Sequence, residues 1–306
     1  AGLSDLAIVA EERGRALQPG PFVCTHVVAA ALASAGTPQQ HTEILPGIRD
    51  GEAFATWVIG DGVDGSARAG SVTATSRGSD FALSGEVGPV PAAAQADWLL
   101  VSAGAGKGTS QFVVKPTAPG ISVTSLDGLD VTQRFASVAF DDVVVPASSV
   151  VGVVGRSASA VEEQLRLACV LITAETVGAM DTLFDLTRRY ALDRTAFGRP
   201  IGSFQAVKHQ MADMSLSLEA SKAVAAAAVR AVQERWEDAG DVVSMAKSWV
   251  ADAGVDLVQG CAQVFAGIGF TWEHDLHLFL RRITMNGLLF GQADWHRERI
   301  CRANGL

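Results

Sequence analysis

Apolar positions recur at helical spacing at both ends of the chain and at strand spacing between them. From Leu3 to about Gly51 the pattern is helical: Ser4 is placed to cap LSDLAIVAEERGRALQ, an apolar stretch runs from His26 to Gly36, and a third follows Pro38 toward Leu45. From Ala53 to about Pro146 glycines punctuate short valine-rich, alternating runs such as SVTATS, FALSG, DWLLVSA, SQFVVKP and ISVTSL, which predict a small β domain. Long helical patterns return from about Val154. There Phe204, Val207, Met211, Met214 and Leu218 lay one apolar core stripe along a helix. The order of helices, strands and again helices predicts an α+β fold rather than an alternating βαβ one. It divides the chain into a short N-terminal helical segment (1–52), a central β-barrel-like domain (53–148) and a C-terminal four-helix bundle (149–306).

Composition narrows the class. The 306 residues are 48% hydrophobic and 19% charged, enough to bury roughly three quarters of the unfolded surface, so the chain folds. With 33 acidic against 24 basic side chains the net charge is -9, which argues against a general grip on nucleic acid or on an anionic membrane. An anionic ligand must be met by local donors. Cys24, Cys169, Cys261 and Cys301 are far apart, without a C-x-x-C pair, which points away from zinc or a disulfide framework and toward a cytoplasmic, reducing setting. No uncharged apolar run of about 18 residues appears, and the first residues lack a signal-peptide pattern, so an unexported chain with no membrane span is expected.

Other motifs weaken on inspection. GAGKGTS (Gly104–Ser110) lacks P-loop spacing, and QFVVKP reads as a strand where a P-loop needs a helix, so a glycine-rich β-turn is expected. His274 and His277 stand three apart beside Glu273 and Asp275, but no paired Glu-x-x-His motif accompanies them. They are read as polar groups at a helix start or subunit contact, with no metal assigned. No G-x-S-x-G elbow is present, which disfavours a serine hydrolase.

Specific text begins at RRYALDRTAFGRPIGSFQAVKHQMADMSLSLEA (Arg188–Ala220) and continues at AQVFAGIGFTWEHDLHLFLRR (Ala262–Arg282). Both segments, with AEERGRAL and the helix–strand–helix order, resemble the acyl-CoA dehydrogenase family. The resemblance implies an acyl-CoA substrate and FAD, with a glutamate removing the α-proton of the thioester while the β-hydrogen leaves as hydride. It implies that Arg194, followed by Phe197 and Gly198, reaches the FAD pyrophosphate of a neighbouring subunit, where a guanidinium fork suits paired phosphate oxygens. Gln263 and Gly267 correspond to a loop approaching the same FAD.

Elsewhere the sequence departs from the family. The T-E-P-x-x-G-S-D motif falls on Ile59, Gly60, Asp61, Val63, Asp64, Gly65 and Ser66, and W-[IV]-[TS] on Pro89, Val90 and Pro91. Pro89 offers no aromatic face and Pro91 neither hydroxyl nor N–H, so the chain's own flavin pocket is expected to be defunct. The two family positions for the catalytic glutamate fall on Phe290 and near Ala168, neither of which takes a proton. Glu175, two helical turns beyond Ala168, is the remaining candidate base, weighed against a helix glutamate paired with a bundle arginine. The N-terminal helices are short by some tens of residues against a full member, which implies a differently shaped acyl site.

Together these losses resemble the base-less subunit of the actinobacterial heterotetrameric acyl-CoA dehydrogenases of steroid side-chain degradation. The resemblance implies an α2β2 assembly with a second acyl-CoA dehydrogenase-type chain, rather than a homotetramer, with FAD shared across the interface. Two other readings stand beside it: a non-enzymatic acyl-CoA-binding or assembly module of the same fold, and a complete dehydrogenase using Glu175. ITMNGLLFGQADW (Ile283–Trp295), with Leu288, Leu289, Phe290 and Trp295, is a candidate partner interface.

Overall fold

The computed structural model describes residues 2–61, 67–68, 71–106 and 108–305. Its elements begin with helices α1 (Leu3–Arg15), α2 (Phe22–Ala35), α3 (Pro38–Glu43) and α4 (Leu45–Asp50). Strands follow: β1 (Ala55–Val58), β2 (Gly60–Asp61), β3 (Ala67–Arg68), β4 (Val72–Arg77), β5 (Asp80–Pro91), β6 (Trp98–Ala105), β7 (Gly108–Val114), β8 (Ile121–Leu126), β9 (Phe135–Val145) and β10 (Val150–Val151). Then come α5 (Ala158–Asp193), a hairpin of β11 (Thr195–Ala196) and β12 (Arg199–Pro200), and α6 (Gln205–Gln233), α7 (Ala239–Phe265), α8 (Leu276–Leu288) and α9 (Ala293–Ala303). Contacts gather these into two compact units, Pro19–Ala168 and Ala1–Gln18 with Cys169–Leu306.

In the first unit eight of the described strands form a mixed sheet of order β10-β7-β6-β4-β5-β9-β8, with β1 parallel to β6, and β2 and β3 pair separately. β4 alternates buried and exposed residues as its sequence suggests, whereas Leu99 to Ala103 of β6 are buried in succession, so the apolar run there marks a strand covered on both faces. Val58, Val72, Leu83, Leu99, Phe112 and Val138 centre the core. Its polar members are paired. Trp57 Nε1 donates to Ser102 Oγ at 2.9 Å, and the amides of Gln111 and Gln164 bond each other at 2.6 and 2.9 Å. GAGKGTS is a hairpin turn: Ala105 faces Gly108 across β6 and β7, and Gly106 sits at φ +59°, while Lys107 lies outside the described residues.

The second unit is helical. α5, α6 and α7 run 36, 29 and 27 residues, and α8, at 13 residues, is the shortest of the four helices the bundle needs. α9 is an added short helix. The predicted stripe on α6 turns Met214 and Leu218 fully inward, with Val207 and Met211 packed at the edge of the same core and Phe204 at the helix N-cap. α5 is apolar enough to resemble a membrane span, but 78% of its most apolar window is buried, as in a core helix.

Two local expectations change. α1 is capped at Gly2, whose N–H donates to the Asp5 carboxylate at 2.8 Å, and Ser4 lies inside the helix with its hydroxyl on Gln233 Oε1 at 2.7 Å. A long-range acceptor on α6 takes the serine that local capping rules would have used. The second helix begins a turn earlier than the apolar stretch suggested, at Phe22.

α1 approaches α5 through glycine. A Cβ at Gly14 would collide with the Glu175 carbonyl, and one at Gly178 with the Glu11 carbonyl. Gly178→Ala is therefore expected to destabilise the fold by about 1–3 kcal/mol despite alanine's better helix propensity. Gly287→Ala, whose Cβ would meet only an ordinary contact at 3.5 Å, is expected to be neutral or slightly stabilising. Urea denaturation of both variants checks the contrast.

Candidate functional site

α5 ends at Asp193 and the chain reverses through a tight hairpin. Arg194 holds its root: its N–H donates to Tyr190 O and its carbonyl accepts from Ile201 N, both at 2.8 Å. Thr195 pairs with Pro200 and Ala196 with Arg199, so Phe197 and Gly198 occupy the turn at φ +51° and +78°. Such a turn needs two left-handed residues, which glycine supplies freely and phenylalanine does not. Phe197 is also 96% exposed, so the fold sustains both backbone strain and an aromatic ring held in water. Phe204 supports it, with the Phe197 ring edge-on at 6.2 Å and the Arg199 guanidinium 4.1 Å over its face. The Arg194 side chain is exposed and has no ion pair among the described residues.

The end of α7 lies beside the hairpin root, because Tyr190 packs on Phe265 with ring centroids 4.8 Å apart. Gln263 and Gly267 are exposed there. Ala266 turns the chain at φ +53°, and a Cβ on Gly267 would meet nothing within 4 Å, so a ligand can approach that backbone closely. The five residues singled out around Arg194 and Gln263 thus belong to one end of the helical unit. A guanidinium, an amide and open backbone suit an anion with several acceptor oxygens.

The positions that the resemblance sets beside the flavin ring are different. Pro89 is exposed, Val90 is buried, and Pro91 uses its carbonyl to accept from Thr56 Oγ1 at 2.6 Å. Neither proline has an N–H to give. Of the other motif, Ile59 is buried and Gly60 is in β2, whereas Val63, Asp64, Gly65 and Ser66 lie outside the described residues.

The two positions where the resemblance places the family's glutamate are sealed. Ala168 is fully buried, and Phe290 is 4% exposed with φ +61°. Leu289 is buried too, leaving Leu288 as the outward member of LLF. This corrects the interface expectation for Ile283–Trp295, because Phe290 and Leu289 pack within their own chain.

A cluster that sequence spacing did not disclose pins this segment. Lys247 Nζ, on buried α7, donates to the carbonyls of Gly287 at 2.9 Å and Gly291 at 3.2 Å. His296 Nε2 lies 3.2 Å from the Phe290 carbonyl and its Nδ1 3.2 Å from Ser244 Oγ, so Nε2 carries the proton and Nδ1 accepts from the serine. Cys169 Sγ is 3.7 Å from the same carbonyl and 3.8 Å from His296. Only the unusual lysine in an apolar α7 stripe could have flagged it.

Glu175 is 5% exposed. Arg282 Nη1 donates to its Oε1 at 2.9 Å and Asn286 Nδ2 at 3.1 Å, so the carboxylate is held as half of a buried ion pair.

Comparison with known proteins bears on these features. Residues 158–304 match the family described as acyl-CoA dehydrogenase, C-terminal domain. Acyl-CoA dehydrogenase IpdE2 of Mycobacterium tuberculosis is 30% identical over 283 residues, covering 92% of this chain and 71% of that protein. The chain belongs to the acyl-CoA dehydrogenase family. Acyl-CoA dehydrogenase FadE34 of the same organism is 33% identical over 97% of the chain, although the chain spans only 38% of that protein's length. Two solved structures share the fold. The ChsE4-ChsE5 complex from Mycobacterium tuberculosis has a TM-score of 0.92 and 26% identity, covering 99% of this chain and 81% of that one. A variant of the Tcur3481-Tcur3483 steroid ACAD has a TM-score of 0.88 and 29% identity, covering 99% and 82%. The arrangement of N-terminal helices, central sheet and C-terminal helices is that of this FAD-dependent flavoprotein family.

In this acyl-CoA dehydrogenase chain, burial and then the charge of Lys247 push His296 down to about 3 from 6.5. An unfolded histidine takes its proton near 6.5, so between that pH and about 3 the unfolded state binds a proton that the folded state refuses. Stability is then present above pH 6.5 and lost as pH falls, by up to about 1.4 kcal/mol per unit. Urea unfolding is expected to show wild type losing about 2 kcal/mol more than His296→Gln between pH 6.5 and 5. Equal losses would show that His296 is not held neutral by the fold.

Proposed function

We propose that this chain is the base-less partner in an α2β2 acyl-CoA dehydrogenase that introduces an α,β-double bond into an acyl-CoA thioester, with a steroid side-chain thioester as substrate class. One contrast carries the reading: a formed hairpin presents Arg194 and Phe197 to solvent, while both positions for the family's base, Ala168 and Phe290, are apolar and buried. The similarity to the Tcur3481-Tcur3483 steroid ACAD supports the substrate class, and the similarity to the ChsE4-ChsE5 complex supports the two-chain assembly. The buried cysteines Cys24, Cys169 and Cys261, all free, support a cytoplasmic setting.

The residues fit FAD on one side only. Arg194, Gln263 and the open backbone at Gly267 would grip the pyrophosphate, with Phe197 and Gly198 shaping the hairpin against it. Pro89 and Pro91 would leave ring-edge acceptors of the chain's own flavin unpaired, at about 1–3 kcal/mol each. The flavin is therefore held chiefly by the other chain, across the interface. Bound FAD supplies the acceptor for the β-hydrogen; this chain contributes grip and orientation, while the partner removes the α-proton.

Expressed in its own host with a tag, the chain is expected to copurify with an acyl-CoA dehydrogenase chain that keeps the glutamate, and the complex to hold fewer flavins than chains. Alone it should be colourless. Arg194→Ala removes a charge-assisted phosphate contact worth about 1.5–3 kcal/mol, so flavin retention by the complex should fall roughly ten- to a hundredfold. A stoichiometric flavin on the isolated chain overturns the proposal, and unchanged flavin in the variant complex favours the assembly module.

Glu175→Gln separates the remaining reading. It leaves Arg282 buried without its counter-charge, so stability should fall by about 3–5 kcal/mol while turnover per folded complex stays the same. Lost turnover in a variant that melts like wild type would assign Glu175 the base.

A further inference from the structure

The last helix, α9, is held by an unusual anchor. His296 is the only residue of α9 that is fully buried, whereas Trp295 and Ile300 are partly covered and Arg297, Glu298 and Arg302 face water. An aliphatic anchor would be indifferent to pH, but an imidazole is not. The groups facing the ring come from three other segments and from α9 itself. On α7, Ser244 Oγ donates to Nδ1 and the Lys247 ammonium stands nearby; after α8, the Phe290 carbonyl accepts from Nε2; on α5, Cys169 Sγ lies 3.8 Å away; on α9, Arg299 adds a second cation. None of the hydrogen-bond partners is a carboxylate. The other ties from α9 to α7 are at the surface, Arg297 to Asp252 and Asn304 Nδ2 to Asp241 at 3.4 Å. The turn before α9 is coupled to it: Phe290 and Gly291 sit at φ +61° and +103°, and a Cβ on Gly291 would collide with the Trp295 ring.

We propose that His296 is an acid-released catch: when its ring takes a proton, α9 undocks from α7 as one segment, the Phe290 turn loosens with it, and the buried Cys169 thiol becomes accessible while α5 to α8 stay folded. A protonated ring would place a second charge in the interior beside Lys247, and would turn Nδ1 from an acceptor for Ser244 into a donor. Burial, then Lys247 and more weakly Arg299, hold the docked ring down to about 3, outweighing the Phe290 carbonyl, which favours the proton. Undocked in water, the ring titrates near 6.5. Between those values only the open form binds the proton, so opening grows by about tenfold for each unit that pH falls. Because α9 buries only this one residue fully, releasing it exposes far less surface than unfolding the bundle. The catch uses none of Arg194, Gln263 or Gly267 and is independent of the function proposed above.

Thiol labelling of the full chain with a dithiodipyridine probe, which reacts at acid as well as neutral pH, reads the opening. Peptide mass spectrometry separates Cys169 from the partly exposed Cys301 and from Cys261, whose thiol is buried against Met214 and reports global unfolding. Corrected for the reactivity of an unfolded control, Cys169 is expected to label about 25-fold faster at pH 5 than at pH 7. At pH 5 it should also outpace Cys261 by about tenfold or more, at a rate that low urea leaves nearly unchanged. His296→Gln keeps a donor and an acceptor without a titrating ring, so its Cys169 rate should change by less than about threefold over the same range. Hydrogen exchange of the wild type tests the same point without a variant: amides of 293–303 should lose protection at pH 5 while those of α5 and α7 keep theirs. A Cys169 rate that does not rise with acid, or that matches Cys261 at both pH values, or protection lost evenly along the helical unit, overturns the proposal. A full acid-dependent rise in a folded His296→Gln chain removes His296 as the trigger and overturns it too.

Discussion

A carboxylate and a guanidinium cannot leave water separately, and the helical unit is organised around that constraint. Glu175 and Arg282 are each almost wholly buried, so each is tolerable only because the other is 2.9 Å away and Asn286 completes the carboxylate's hydrogen bonding. The pair ties α5 to α8. Arg282 also points at the carbonyls of Leu17 and Gln18, so the chain just beyond α1 converges on the same charge. α1 comes close enough only because Gly14 and Gly178 put backbone against backbone. One turn along α5, Asp181 takes both Arg15 and Lys222, extending the ionic seam to α6.

The same constraint bears on the chemistry open to this part of the molecule. A general base needs an accessible lone pair and a path for a proton, whereas Arg282 and Asn286 both donate to Glu175 Oε1 and the residue is almost wholly buried. After α8 the chain turns through Phe290 and Gly291 and fixes their carbonyls with His296 and Lys247. Those donors satisfy backbone groups that a buried turn would otherwise strand. The turn is built as interior, with no carboxylate and its apolar ring enclosed.

At the other end of the unit the accounting reverses. Phe197 carries a left-handed backbone and a solvated ring, and Phe270 and Trp272 also stand in water. Phe204 meets the edge of Phe197, and His277 and the Arg281 guanidinium meet Trp272, yet all three rings stay largely exposed. Exposed rings of this kind are what a surface completed by another molecule presents, and the proposed assembly accounts for them in that way.

Residue types and short-range periodicity settled much of this from the sequence alone. The helix–strand–helix order, the core stripe on α6, and the hairpin turn at Gly106 each depend on neighbours within a few residues. That prolines at 89 and 91 have no N–H to give, and that Ala168 and Phe290 carry no acid, is side-chain chemistry; that these are the family's flavin and base positions is what the resemblance implies. Tertiary structure decided the rest. Ser4 left its expected cap for Gln233, Glu175 met an arginine 107 positions later, and Phe290 turned inward under a lysine and a histidine from two other helices. Whether a polar group is free or paired, and whether an apolar ring is core or surface, depends on residues brought together across most of the chain. Local pattern carries no record of those partners, so only their meeting in the fold could place Glu175 in a buried ion pair with Arg282.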